Sequence, residues 1–297
     1  MQRPPQLLAG DKVVIVSPSR QIESSQLDQA LKTFQNWGLE PKVAEHALSK
    51  HGYFAGNDGE RLSDLQLVLD DPEVKAVFCA RGGYGMTRII DEVDLSTFIK
   101  NPKWVIGFSD ITALHLLINK NNIESIHGLM PVQFEYDGIE KSSYSLKKIL
   151  FEGELNYNWK GHSRNLKGVA KGQIIGGNLS LLVDSIGTKN EINTDGKILF
   201  IEEIDEYYYK IDRMLTQLKR AGKFDTIAGL IVGQFSDLKD TQIKFGSGLQ
   251  DIVLDKVKSS VPVCFNAPIG HEMPNLAIPC GREVNLSVSE SQVNLLG

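Results

Sequence analysis

Cysteine is scarce in this 297-residue chain: only Cys79, Cys264 and Cys280 occur, widely separated and without any C-x-x-C spacing. That pattern excludes a disulfide framework and a zinc site, and all three thiols are expected to be reduced and buried. Long apolar runs are also missing. No segment approaches the roughly 18 apolar residues that span a bilayer, and the opening Met1-Gln2-Arg3-Pro4-Pro5-Gln6-Leu7-Leu8 lacks the apolar stretch of a secretory signal. A cytoplasmic protein with no membrane partner is therefore expected. Nor is there a basic excess: 32 Lys and Arg stand against 37 Asp and Glu, for a net charge of -5. Such a chain has no field to neutralise phosphates, so nucleic acid is not an expected partner. None of the six histidines has a second histidine four residues away, so metal catalysis has little support.

What is present is an ordinary globular composition, 41% hydrophobic and 23% charged, long enough for two cores of about 100–150 residues each. The first third alternates β-branched runs with amphipathic stretches. Strands are expected at 13–16, 41–44, 74–79 and 104–107, with helices at 24–37, 58–69, from Met86, and at 110–119. Repeated β-α units predict an α/β fold whose N-terminal domain is a doubly wound parallel sheet. Between Gln133 and Lys171 apolar periodicity weakens, which places the domain connection there. The expected division is residues 1–132, a connection at 133–171, and a smaller mixed α/β domain at 172–297. In that last part helices are expected at 178–186 and 206–221, strands at 198–201 and 227–232, and a β-rich segment from Val261. Ile211, Met214, Leu215 and Leu218 mark one buried helical face.

Ser109 follows the apolar run Trp104-Val105-Ile106-Gly107 and precedes a helix. Ligand sites gather at such strand ends, and a serine at a tight turn there can present its oxygen beside backbone N–H groups. The alternative is a serine that caps the helix, and the turn departs from G-x-S-x-G in having Ile111 at the second glycine position. Arg81-Gly82-Gly83-Tyr84-Gly85 follows another strand and could supply oxyanion donors. As a phosphate loop it lacks the third glycine of a dinucleotide fingerprint and any following G-K-[ST]. Glu202 ends the apolar run Ile198–Ile201, with Glu203 pointing the opposite way if the strand continues. His271 lies in a loop bounded by proline and glycine, a setting that fits a turn residue or a site residue equally well. Ser109, Glu202 and His271 occur in one of the chain orders compatible with a nucleophile–acid–histidine triad.

Several separated segments then carry a resemblance over nearly the whole chain: Val14-Ile15-Val16-Ser17-Pro18-Ser19, Ala80-Arg81-Gly82-Gly83-Tyr84-Gly85, Ile106-Gly107-Phe108-Ser109-Asp110, Gly176-Gly177-Asn178-Leu179-Ser180, Leu199-Phe200-Ile201-Glu202-Glu203, Ile211-Asp212-Arg213 and Pro268-Ile269-Gly270-His271. In these it resembles the LD-carboxypeptidases of the serine peptidase class that also contains microcin-immunity hydrolases. The resemblance implies a Ser109 nucleophile on the N-terminal domain and Glu202 and His271 on the C-terminal one, with Glu202 favoured over Glu203 as the acid. Backbone N–H groups of Gly83 and Asp110 are the expected oxyanion donors. Arg81 and Tyr84 are expected to bind substrate, and Arg81 and Arg88 are both candidates for its terminal carboxylate. No cofactor is required. The implied substrate is a murein tetrapeptide losing its terminal D-alanine during cytosolic wall recycling, and a homodimer is the implied assembly. The alternatives are hydrolysis of a peptide–nucleotide antibiotic conjugate, or a non-catalytic binder of a nucleotide or wall fragment.

Overall fold

A computed structural model describes residues 1–297 and divides them into two compact units, Met1–Gly153 with Met273–Cys280, and Glu154–Glu272 with Gly281–Gly297. In chain order the strands are β1 (Lys12–Val16), β2 (Glu40–Val43), β3 (Val74–Cys79), β4 (Trp104–Gly107), β5 (Ser125–His127), β6 (Asn156–Lys160), β7 (Gly168–Asn178), β8 (Ile198–Ile204), β9 (Gly229–Ser236), β10 (Val263–Cys264), β11 (Ile278–Cys280), β12 (Glu283–Val288) and β13 (Gln292–Leu296).

The first unit is built on a sheet of order β11-β5-β4-β3-β1-β2, in which β1 to β5 run parallel and β11 pairs antiparallel with β5. Beyond Lys12 in β1 and Lys75 in β3, every residue of the central strands β1, β3 and β4 is apolar or small and buried, because helical crossovers leave little of a parallel strand to water. The order reverses between β1 and β3, the kind of switch point whose carboxyl-end loops commonly carry ligand sites in such sheets. The helix Asp58–Asp70 begins with a reciprocal cap between Asn57 and Glu60.

In the second unit β10, β9, β8 and β7 are parallel and continue through β12, β13 and β6 as antiparallel neighbours. The two halves of this sheet differ in pattern. β8 is buried throughout except at its last residue, whereas β12 alternates exposed and buried. The helix Tyr208–Arg220 buries Ile211, Leu215 and Leu218, while Met214 is only partly covered.

Two features differ from the expected division. Residues 133–171 hold the helix Glu140–Glu152, the whole of β6 and the start of β7, and the chain passes from the first unit to the second after Gly153. The helix was hidden because its buried face carries Ser142 and Ser145 beside Leu146, Ile149 and Leu150. Those serine hydroxyls accept the backbone N–H groups of Asn275 and Ala277, at 2.8 and 3.0 Å. That is the second difference: residues 273–280, expected in the C-terminal β-rich segment, return to the first unit and end in β11. Helix starts also shift slightly, with short 3-10 turns at Ser24–Leu27 and Ser109–Ile111 preceding helices Asp28–Asn36 and Thr112–Lys120. All three cysteines are free and buried. Burial pushes each thiol up, that of Cys280 to about 12, so none is a reactive thiolate.

Candidate active site

β4 ends at Gly107, and the chain turns sharply so that Ser109 adopts φ 61°. A left-handed backbone at a non-glycine residue is costly and persists only where its surroundings impose it. Ser109 opens the 3-10 turn itself, Phe108 takes the N-cap position, and no side chain caps the turn, so Ser109 is not a helix cap. Beneath the turn the buried His115 holds the Gly107 carbonyl through Nε2 and the Ser125 hydroxyl through Nδ1, each at 2.9 Å. Burial lowers its pKa to about 4, so the ring stays neutral.

The glycine loop after β3 lies directly against this turn. A Cβ at Gly82 would stand 2.9 Å from Ser109 Cβ and 3.2 Å from its Oγ, so only glycine lets the loop approach this closely. Gly83, at φ 105°, is exposed, and Tyr84 is half exposed.

Two buried charges hold these loops together. Asp110, next to Ser109, is 1% exposed and accepts from the Ser19 hydroxyl at 2.5 Å and from the Met86 N–H at 2.8 Å. One carboxylate thereby joins the loops after β1, β3 and β4. Arg61, 2% exposed, donates to the carbonyls of Pro18 and Gly85 and is paired with Asp58. Asp58 also grips Arg88, at 2.6 Å, through a two-toothed contact. Arg88 is thus committed to Asp58, which raises its pKa further, and of the two cations expected to meet a carboxylate only Arg81 lacks a carboxylate partner. Sequence reasoning passed over Ser19, Asp58 and Arg61. Ser19 does lie in one of the motif segments, but nothing in its type or spacing announces a tie to Asp110.

In the second unit, Glu202 sits on β8 where the register with β9 slips between Ile201 and Glu203. Such a bulge re-aims a side chain. Glu202 is fully buried, and its Oε2 accepts from His271 Nδ1 at 2.7 Å while Oε1 has no partner. Glycines make room for this pair. A Cβ at Gly233 or at Gly270 would stand 3.3 Å from Glu202 Cβ. Glu203 faces the other way, accepting from Asn178 Nδ2 and from the Ser180 N–H, each at 2.9 Å. Geometry therefore decides between the adjacent carboxylates: Glu202 meets His271, and Glu203 anchors the Gly176–Ser180 segment. Burial disfavours a charged His271, but the charge and hydrogen bond of Glu202, with the charge of Glu203, outweigh it and raise the pKa. For Glu203, burial and the charge of Glu202 prevail over its hydrogen bonds, and its pKa is also raised.

With Nδ1–H donating to a carboxylate, neutral His271 carries its lone pair on Nε2, the state of a general base. A cleft of about 480 Å³ lined by residues including Arg3, Asp11, Val74 and Lys75 lies at the amino ends of the first sheet and includes none of these residues. No helix is long and apolar enough to cross a membrane.

Comparison with known proteins agrees with these motifs. Profiles of the LD-carboxypeptidase N-terminal and C-terminal domains match residues 13–128 and 171–286. A probable murein peptide carboxypeptidase of Bacillus subtilis is 38% identical over 97% of this chain and 92% of its own. The crystal structure of muramoyltetrapeptide carboxypeptidase from Oxalobacter formigenes superposes with a TM-score of 0.88 at 27% identity, covering 96% of this chain and 98% of that one. The microcin C7 self-immunity protein MccF shares the fold, with a TM-score of 0.88 at 19% identity over 99% and 98% of the two chains. On the matched domain pair and the full-length relative, the chain belongs to the LD-carboxypeptidase family of serine-type peptidases.

Proposed function

We propose that the protein removes the terminal D-alanine from murein tetrapeptides in cytosolic wall recycling, by cutting the bond between the L-centre of the diamino acid and D-alanine. The observation that carries this reading is the hydrogen bond from His271 to the buried Glu202, a histidine held in the tautomer a serine nucleophile requires. The strained Ser109 turn supports it, as do the murein peptides named for the relatives.

In this mechanism His271 Nε2 takes the Ser109 proton as Oγ attacks the scissile carbonyl carbon. Glu202 holds the ring and stabilises its cation. The oxyanion receives the N–H groups of Gly83 and Asp110, and a single such donor is worth about 100- to 1000-fold in rate. The C–N bond breaks as His271 returns the proton to the leaving D-alanine amine, leaving an acyl ester on Ser109. Water, deprotonated by His271, then attacks the ester and releases the tripeptide carboxylate. Arg81 and Tyr84 line the substrate side of the glycine loop, and the acting form is a homodimer, expected at twice 32.9 kDa by light scattering.

Mass-spectrometric detection of free D-alanine from a disaccharide-free tetrapeptide tests the reading, with Ser109→Ala and His271→Ala alongside. Release by the wild type, reduced about 10⁴-fold or more in each variant, is the expected result. No release by any form, with turnover of a peptide–nucleotide conjugate instead, would overturn it.

A further inference from the structure

An enzyme that removes one terminal residue must distinguish a free carboxylate from a continuing chain. We propose that Arg20, on the loop after β1, binds that carboxylate, an inference that rests on the peptidase reading above. The case begins with which cations of the first unit are available. Arg61 is buried and spent on two carbonyls, and Arg88 is held by Asp58. Arg20 and Arg81 have no carboxylate partner, and of the two Arg20 is the exposed one, Arg81 being half-buried.

Its position is nonetheless fixed. The Arg20 N–H donates to the Gly82 carbonyl at 3.3 Å, and its guanidinium lies over the Tyr53 ring, 5.2 Å from the centroid. Stacking on an aromatic face restrains a long side chain while leaving its planar fork of donors open to a carboxylate.

The glycine loop also brings the arginine and the nucleophile to neighbouring positions. Gly82 packs against Ser109, and the next residue, Gly83, packs against Arg20: a Cβ at Gly83 would meet Arg20 Cβ at 2.9 Å and Tyr53 Oη at 2.8 Å. The nucleophile and the stem of the arginine thus contact adjacent residues of one loop. In a peptide that loses a single residue, the scissile carbonyl and the terminal carboxylate are one residue apart, so their partners must also be near neighbours. Arg81, half-buried on the same loop, is the competing cation.

The test compares a tetrapeptide ending in free D-alanine with its C-terminal amide, using wild type, Arg20→Ala, Arg20→Lys and Arg81→Ala. Arg20→Ala is expected to lose about 30- to 100-fold in kcat/KM on the acid, mainly through KM, and to leave the amide within about twofold, as expected for loss of a charge-assisted pair. Arg20→Lys should recover part of the loss, because it keeps the charge but not the fork. Equal losses on acid and amide, or an acid preference that survives in Arg20→Ala and collapses in Arg81→Ala, would overturn the assignment. Binding by calorimetry in a Ser109→Ala background separates this from failure of the catalytic reading. There the acid should bind more tightly than the amide, and Arg20→Ala should erase the difference; no acid preference in binding overturns the assignment whether or not the wild type turns over.

Discussion

Around Ser109 the loops are tied by buried charged side chains, with Asp110 joining three strand ends and Arg61 gripping two carbonyls, whereas in the second unit Glu202 is placed by the backbone of its strand and in turn holds His271. Glu202 projects from a slipped strand, and Gly233 and Gly270 clear the space beside it. The difference follows from the elements involved. Loops after parallel strands have no ladder of their own and need side-chain ties, while a residue within β8 inherits its position from the sheet. Mutations near Ser109 should therefore act on stability as well as rate, and mutations of the second-unit pair mainly on rate and its pH dependence.

Of the three changes that probe this contrast, the largest effect is expected for Glu202→Gln, a loss of about 10³- to 10⁴-fold in kcat with little change in melting temperature. Its pH profile carries the sign. His271 must be neutral to act as base, so rate rises with pH through its raised pKa. Removing the Glu202 charge leaves burial in control, and the acid limb of kcat/KM moves to lower pH. An unmoved limb would show that another group sets it.

Next is Asp110→Ala, which strands the buried Met86 N–H and releases the Ser19 hydroxyl. About 2–4 kcal/mol of stability should be lost in urea titration, together with activity. A variant as stable as the wild type would remove the contrast drawn between the two regions.

Smallest is Glu203→Gln, which keeps shape and the Asn178 contact but sets an amide against the Ser180 N–H. Removing a costly buried charge offsets part of that loss, so stability should stay within about 1 kcal/mol. The acid limb should shift slightly downward, because the Glu203 charge also helps to raise the His271 pKa. A destabilisation equal to that of Asp110→Ala would mean that side-chain ties hold both regions alike.

Elements with apolar runs were legible in the sequence, since β1 after Lys12, β3 after Lys75, β4, and β8 up to Ile201 are buried on both faces. The helix Glu140–Glu152 was not, because serines on its buried face are satisfied by backbone groups more than 130 residues away. Edge strand β6, Asn156–Lys160, buries too little for its pattern to stand out.

The chain by itself determined the alternation of buried strands and amphipathic helices, the strand-end position of Ser109, and the motif set that carries the family resemblance, because periodicity and local residue type are written along one dimension, whereas Glu202, expected at the end of its strand, lies inside β8. The tertiary structure alone decided that Glu202 rather than Glu203 meets His271, that Asp58 removes Arg88 from service, that Arg20 stands beside Gly83, and that residues 273–280 return to the first unit. Those outcomes depend on a register slip, on partners tens of residues distant and on close backbone approach, none of which local sequence encodes.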